Sequence, residues 1–363
     1  MKEVNAGVAS TKGISLLGTT VVGSYPQPDW LIDKGMLTGQ FVPRVATGAM
    51  WRVLAEVRDE ALRDATLLTI RELEETGLDV ITDGEICRES YTSHFAASLA
   101  GFDHAHPAVI VNRVGRVVTV PRVVGPVRHQ RPVEVEWARF LRAHSRRVTK
   151  VTLPGPFTLA QQAKDEHYGD IEALTLDFAA AVNTEAKLLE QAGIDQIQLD
   201  EPWVRNDPQA ARRFGIRALD RALEGLKVHT AVHVCFGYAF LRPSDKPNAY
   251  EFLSELADSR VHEIVVEAAQ PRLDLGVLRD LSSKRIAVGV LDHSTPEAES
   301  VEIVADRIRR ALEYVPAERL VAAPDCGMKY MSRDIAQRRL RNLCAAAARV
   351  RHELGISEPA AVA

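Results

Sequence analysis

Two side chains able to bind a soft metal ion stand one residue apart in this chain, His233 and Cys235. The run over residues 228–235 is short, apolar and β-branched and is closed by Gly237, which predicts a β-strand. Strand side chains alternate between faces, so the imidazole and the thiol point the same way. Later strand-like runs end in two more candidate ligands, Glu267 and Cys326. Thiolate, imidazole and carboxylate together suit Zn²⁺ better than Mg²⁺ or Ca²⁺. A single His or Cys on an apolar strand is usually plain core. The chemistry therefore depends on whether the chain gathers these four residues at one place.

The elements that would do so alternate along the sequence. Strands are expected over residues 16–23, 79–83, 148–153, 196–199, 228–235, 263–267, 286–291 and 320–323, with helical spacing over 50–76, 133–145, 170–192, 206–226, 249–258, 273–282, 297–313 and 334–354. In the first helix, Leu54, Val57, Ala61, Ala65 and Leu68 share a face. Near-continuous apolar strands suit a parallel sheet covered on both sides. The predicted fold is α/β, a TIM (β/α)8 barrel over residues 16–355, with a loose lead-in at 1–15 and a β-hairpin inserted near residues 108–124. The fallback, a doubly wound open sheet, lacks a Gly-x-Gly-x-x-Gly at its first turn. Barrel active sites form at the C-terminal strand ends. Those ends carry Ser24, Glu85, Asp200, His233 with Cys235, Glu267, Asp292 and Cys326.

Composition limits the alternatives. Apolar residues make up 46% of the 363 and charged residues 26%, ordinary for a globular protein with a sizeable core. A net charge of −4 argues against nucleic acid, and apolar runs of strand length argue against a membrane span. Four cysteines in so long a chain are no disulfide framework; with an N-terminus lacking an apolar signal core, a cytoplasmic location is expected. Cys344 reads as core and Cys87 as incidental.

A set of segments now becomes telling: Thr19-Thr-Val-Val-Gly-Ser-Tyr-Pro-Gln27, Asp83-Gly-Glu85, Pro154-Gly-Pro-Phe-Thr158, Gln198-Leu-Asp-Glu-Pro202, His233-Val-Cys235, Val265-Val-Glu267 and Pro324-Asp-Cys-Gly-Met-Lys329. In content and order they resemble the C-terminal catalytic barrel of cobalamin-independent methionine synthase and its short stand-alone relatives. The resemblance implies a Zn²⁺ site of His233, Cys235, Glu267 and Cys326, with Ser24, Glu85 and Asp200 holding the amino-acid end of homocysteine. It implies a methyltransferase that activates a small-molecule thiol as a zinc thiolate, with His293 in Asp292-His293-Ser294 as candidate proton donor. In the long synthase a Trp after the Gly-Pro-x-Thr segment stacks on folate; here Gln161 and Gln162 stand locally, and the 236–248 loop is longer. A methylated corrinoid protein or another alkyl donor therefore stands beside folate as a candidate. The competing reading within the same chemistry is alkyl transfer to another thiol, as in epoxyalkane:coenzyme M transferases, whose sulfonate would need a cation such as Arg88, Arg205 or Arg242. A uroporphyrinogen decarboxylase-like barrel needs no metal, and a purely structural zinc needs fewer polar groups than this rim offers.

Overall fold

The computed structural model describes residues 16–39, 48–111, 117–238 and 246–356. The expected lead-in and Arg242 lie outside them. Among the described residues eleven strands follow in chain order: β1 (Gly18–Thr19), β2 (Val80–Ile81), β3 (Leu99–Val111), β4 (Val117–His129), β5 (Val148–Pro154), β6 (Lys164–Asp165), β7 (Gln196–Asp200), β8 (His229–Val234), β9 (Glu263–Val266), β10 (Arg285–Leu291) and β11 (Leu320–Pro324). Eight of these form a parallel sheet in the order β1-β11-β10-β9-β8-β7-β5-β2, and a parallel bridge from Thr20 to Val80 joins its two ends. The result is the expected barrel.

Two hydrophobic cores follow from the alternation of side chains. Outward-facing residues such as Val232, Ile264 and Ile286 pack against the surrounding helices in one large cluster. Inward-facing Val22, Ala231, Val265, Ala287, Val321 and Ala323 form a second, smaller cluster inside the barrel. The remaining interior is polar, with Lys150, Thr152 and Gln198 all buried. At its floor Glu263 meets His229 Nε2 at 3.4 Å and Arg285 Nε at 3.3 Å.

Three expectations change in detail. The hairpin β3–β4 is longer than predicted; its base packs on the helix Ile171–Gln191 through Phe102 and Phe178, ring centroids 6.0 Å apart. The predicted turn around Asn112 lies outside the described residues. The segments expected as helices after β8 and β9 are 3-10 turns, Ser254–Asp258 and Leu275–Leu281. Finally, the helix Arg58–Glu75 buries Leu62, Ala65, Thr66, Thr69, Ile70 and Leu73, while Leu54, Val57 and Leu68 are exposed. The period was right and the face was not, because threonines with satisfied hydroxyls serve as core: Thr66 Oγ1 donates back to Leu62 O at 2.7 Å.

Candidate metal and thiol site

His233 and Cys235 both face inward at the end of β8, and Cys326 follows β11. Their ligand atoms lie within 4.8 Å of one another, and all three residues are buried. The two sulfurs are 3.9 Å apart. Two thiolates at the usual ~2.3 Å from a tetrahedral zinc stand about 3.8 Å apart, so the spacing fits. His233 Nδ1 lies 3.3 Å from Val265 O, which can only accept, so Nδ1 carries a proton and Nε2, which is buried and without a hydrogen-bond partner, is the nitrogen left for a cation.

The electrostatics point the same way. A hydrogen bond from the Cys326 thiol, with His233 alongside, holds Cys235 well below the ordinary thiol range; that same bond, together with burial, pushes Cys326 up. Burial opposes a charge on His233, yet the Cys235 thiolate raises its pKa to about 9. A divalent cation would take the place of the protons on His233 Nε2 and the Cys326 thiol, as metal binding does at such donors.

Glu267 does not join the three. Its Oε2 accepts from Phe236 N at 2.7 Å, and its Oε1 pairs with Lys246, whose ammonium also donates to Gly237 O at 2.7 Å. Burial, then the Asp325 and Cys235 charges, raise the Glu267 pKa to about 8. Asp325, next to Cys326, accepts from the backbone N–H groups of Ala268, Ala269 and Gln270 and so fixes the chain leaving Glu267. Neither Lys246 nor Asp325 was singled out from the sequence. Lys246 comes from a loop with no local signature; Asp325 sits inside a noted motif, but its partners are more than fifty residues away.

Ser24, Glu85 and Asp200 meet on the adjoining rim. Glu85 has φ of +54° directly after Gly84 at +72°, a left-handed pair that turns its carboxylate inward. Such backbone costs a non-glycine residue roughly 1 kcal/mol or more and tends to persist where function needs it. Thr152 Oγ1 donates to Glu85 Oε1 at 2.9 Å, and a Cβ on Gly23 would lie 2.5 Å from that same oxygen. Gly327, after Cys326, leaves room for Ser24 Oγ, which is buried and without a partner. Burial, with the Glu85 charge adding, raises the Asp200 pKa to about 7, against a bond from Gln198 Nε2 at 2.7 Å. Glu201, beside Asp200, plays a structural part: it accepts from Phe157 N at 2.9 Å and Thr158 N at 2.8 Å at the start of the helix Pro156–Gln161, which follows β5.

Of the arginines proposed for a sulfonate, Arg242 lies outside the described residues and Arg88 is engaged elsewhere. Arg88 is buried between Glu134, at 3.0 Å, and the Thr152 carbonyl, also at 3.0 Å. The Arg205 guanidinium sits 5.8 Å from the Phe236 ring centroid. Cys87, His94 and Glu134 also cluster, but the Arg88 guanidinium already takes the carboxylate a cation would need.

Beyond Gly327 opens a cavity of about 490 Å³ lined by Tyr238, His293, Met328, Tyr330, Met331 and Arg339. Burial, with Arg339 near, lowers the His293 pKa to about 3, so the ring is neutral near pH 7; its Nε2 is buried and without a hydrogen-bond partner. Asp292 is used locally: its Oδ1 accepts from Ser294 N at 2.8 Å and Ser294 Oγ at 2.6 Å. Gln162 is buried and accepts from Thr92 Oγ1 at 2.8 Å, on the side of the hairpin.

A barrel whose C-terminal rim pairs a soft-metal cluster with facing carboxylates belongs among enzymes that handle small nucleophiles. Residues 17–349 match the family described as cobalamin-independent synthase, catalytic domain, and the chain belongs to that family of methyltransferases. It is 33% identical to a methionine synthase of Thermococcus kodakarensis and 32% identical to one of Pyrococcus horikoshii, in each case over 94% of this chain and 95% of the relative. A solved B12-independent methionine synthase from Shewanella sp. W3-18-1, in complex with selenomethionine, superposes with a TM-score of 0.85 at 34% identity, covering 94% of this chain and all of that one. A Listeria monocytogenes structure at 18% identity and a TM-score of 0.70 shares the fold, covering 93% of this chain and 98% of its own.

Proposed function

We propose that this protein methylates the sulfur of homocysteine to give methionine, with zinc held by His233, Cys235 and Cys326 and with Glu267 as the fourth ligand. The observation that carries the reading is the convergence of two thiols and an unpartnered imidazole nitrogen, all buried, beside Glu85 and Asp200. Bound there, zinc would acidify the substrate thiol, whose free pKa is about 8.5, so that the sulfur is nucleophilic at neutral pH. The chain's own residues do the rest. Glu85 and Asp200 receive the ammonium group, and Ser24 Oγ is a free donor for the substrate carboxylate. Glu267 has one oxygen on Phe236 N and the other on Lys246, so it ligates only by sharing an oxygen lone pair. Four protein ligands match a closed structural site in number, but these come from three strands around a barrel mouth, where bound zinc would be within reach of a substrate thiol held by Glu85 and Asp200.

The alkyl group arrives through the cavity beyond Gly327, whose size suits one small ligand or the reactive end of a larger one. His293 faces the leaving group there. A neutral ring with a pKa of about 3 serves as a polar contact, and it becomes an acid only against a leaving group whose negative charge raises that pKa. At the place of the long synthase's aromatic platform Gln162 is buried and hydrogen-bonded, which favours a donor other than free methyltetrahydrofolate: a methylated corrinoid protein or another reactive alkyl carrier.

Zinc-edge absorption tests the acceptor before any donor is known. The metal-loaded protein is titrated with homocysteine, coenzyme M, glutathione and cysteine. Homocysteine sulfur entering the metal shell at the lowest concentration is the expected result; preferential entry of coenzyme M would replace homocysteine as the acceptor.

A further inference from the structure

Beneath the rim lies a buried cation to which the proposed chemistry assigns no role. Lys150 on β5 is fully buried inside the barrel. Its ammonium donates to Val21 O at 2.5 Å and to Gln198 Oε1 at 2.9 Å. The Gln198 amide in turn donates through Nε2 to Val22 O at 2.9 Å and to Asp200 Oδ1 at 2.7 Å. Only this orientation of the amide works. Flipped, its NH2 would face an ammonium and its oxygen would face a carbonyl and a carboxylate.

The connection crosses the barrel. In the sheet β7 and β1 are separated by β5 and β2. Yet Lys150 and Gln198 tie the backbone at residues 21–22, two residues before Ser24, to the side chain of Asp200. One step further along β5, Thr152 holds Glu85. Side chains of β5 thus reach Glu85 directly, Asp200 through Gln198 of β7, and the segment before Ser24 through Val21 O. The interior around Lys150 holds Glu263 and Asp200 as its charge partners.

We infer that Lys150 is a positioning residue for substrate recognition: through Gln198 it aims Asp200 at the substrate ammonium and fixes the span from Asp200 to Ser24. This rests on the reading of Glu85 and Asp200 as the ammonium site. Lys150 touches neither the substrate nor the metal ligands, so its loss lowers affinity for the ammonium-bearing thiol more than turnover at saturation. A link of charge-assisted bonds of this kind corresponds to about tenfold in affinity.

The test compares homocysteine with its des-amino analogue, 4-mercaptobutanoate, by calorimetric titration of the zinc-loaded protein and of Lys150→Met, Gln198→Met and the double variant. The unaltered protein should prefer homocysteine about tenfold or more, and each single variant should lose most of that preference while keeping its zinc. The double variant should be no worse than the weaker single one, because both break the same link. Kinetics should show KM rising more than kcat falls. Gln198→Met alone decides the matter if Lys150→Met fails to fold, since it cuts the link to Asp200 and leaves Lys150 on Val21 O. Folded variants that keep the full preference, or single effects that multiply in the double variant, overturn the inference while leaving the ammonium site standing. A lack of preference in the unaltered protein overturns the ammonium site and this inference with it.

Discussion

Replacing Cys326 with Ser is the sharpest perturbation of the proposed metal site. It removes one sulfur from a pair 3.9 Å apart and leaves His233 and Cys235 in place. Structural zinc sites in small peptides bind with roughly 10–16 kcal/mol for four ligands, so one ligand is worth about 3 kcal/mol. That is about two orders of magnitude in zinc affinity. The fold should survive, because the apolar cores lie between barrel and helices and inside the barrel below the rim. The assay is competition against a chromophoric zinc chelator, with bound metal counted by atomic emission and folding followed by thermal unfolding. Cys235→Ser should behave like Cys326→Ser. Cys87→Ser and Cys344→Ser serve as controls: Cys87 belongs to the cluster occupied by Arg88, and Cys344 lies in the last helix. Full zinc occupancy in both rim variants at the chelator concentration that strips half the metal from Cys87→Ser would refute the ligand set.

Other outcomes follow from neighbouring groups. Glu85→Gln should weaken homocysteine binding by about tenfold or more with zinc content unchanged, because a charge-assisted bond to the ammonium becomes a neutral one; unaltered affinity in titration calorimetry would contradict the ammonium site. Gly327→Ala should also weaken homocysteine, since the new methyl meets Ser24 Oγ, and a structure of the variant should show Ser24 displaced. Supplied with homocysteine, the protein should form methionine from methylcobalamin faster than from mono- or triglutamyl methyltetrahydrofolate; turnover with the folate at ordinary enzyme rates, ~1 s⁻¹ or more, would show that Tyr238 or another ring has taken over the stacking. Glu263 gives a pH test: burial opposes its charge, yet His229 and Arg285 hold its pKa at about 2, below the ordinary 4.5. A lowered folded-state pKa contributes stability above the unfolded value that is lost as pH falls through about 2. Denaturation should therefore find Glu263→Gln less stable by about 3 kcal/mol at pH 7, with the gap about halved at pH 3.

What the sequence made legible was whatever depends on local pattern. Each barrel strand appears within a few residues of its expected place, because a buried parallel strand is a short apolar run and the end of that run is a backbone landmark. His233, Cys235, Cys326, Asp200 and Glu85 were legible for the same reason: they stand at or just past the C-terminal ends of those runs. The contents of the rim were harder to read where a side chain's partner is far away in the chain. Glu267 looked like a free ligand at a strand end, but the structure gives its two oxygens to Lys246 and Phe236 N. Asp292, a candidate at a strand end beside His293, closes its own turn. Gln198 and Lys150, read as ordinary strand positions, connect across the barrel. The same physics explains Glu267, Gln198 and Lys150: a buried charge or amide must be satisfied, and its partner is chosen by the closed barrel and not by sequence neighbours. A metal at Cys235 and Cys326 would extend that rule one step, since it would replace the protons of the cluster beside a carboxylate whose charge is already countered by Lys246. Zinc binding should therefore weaken the hold of Lys246 on Glu267, and release of this lysine should accompany loading of the site.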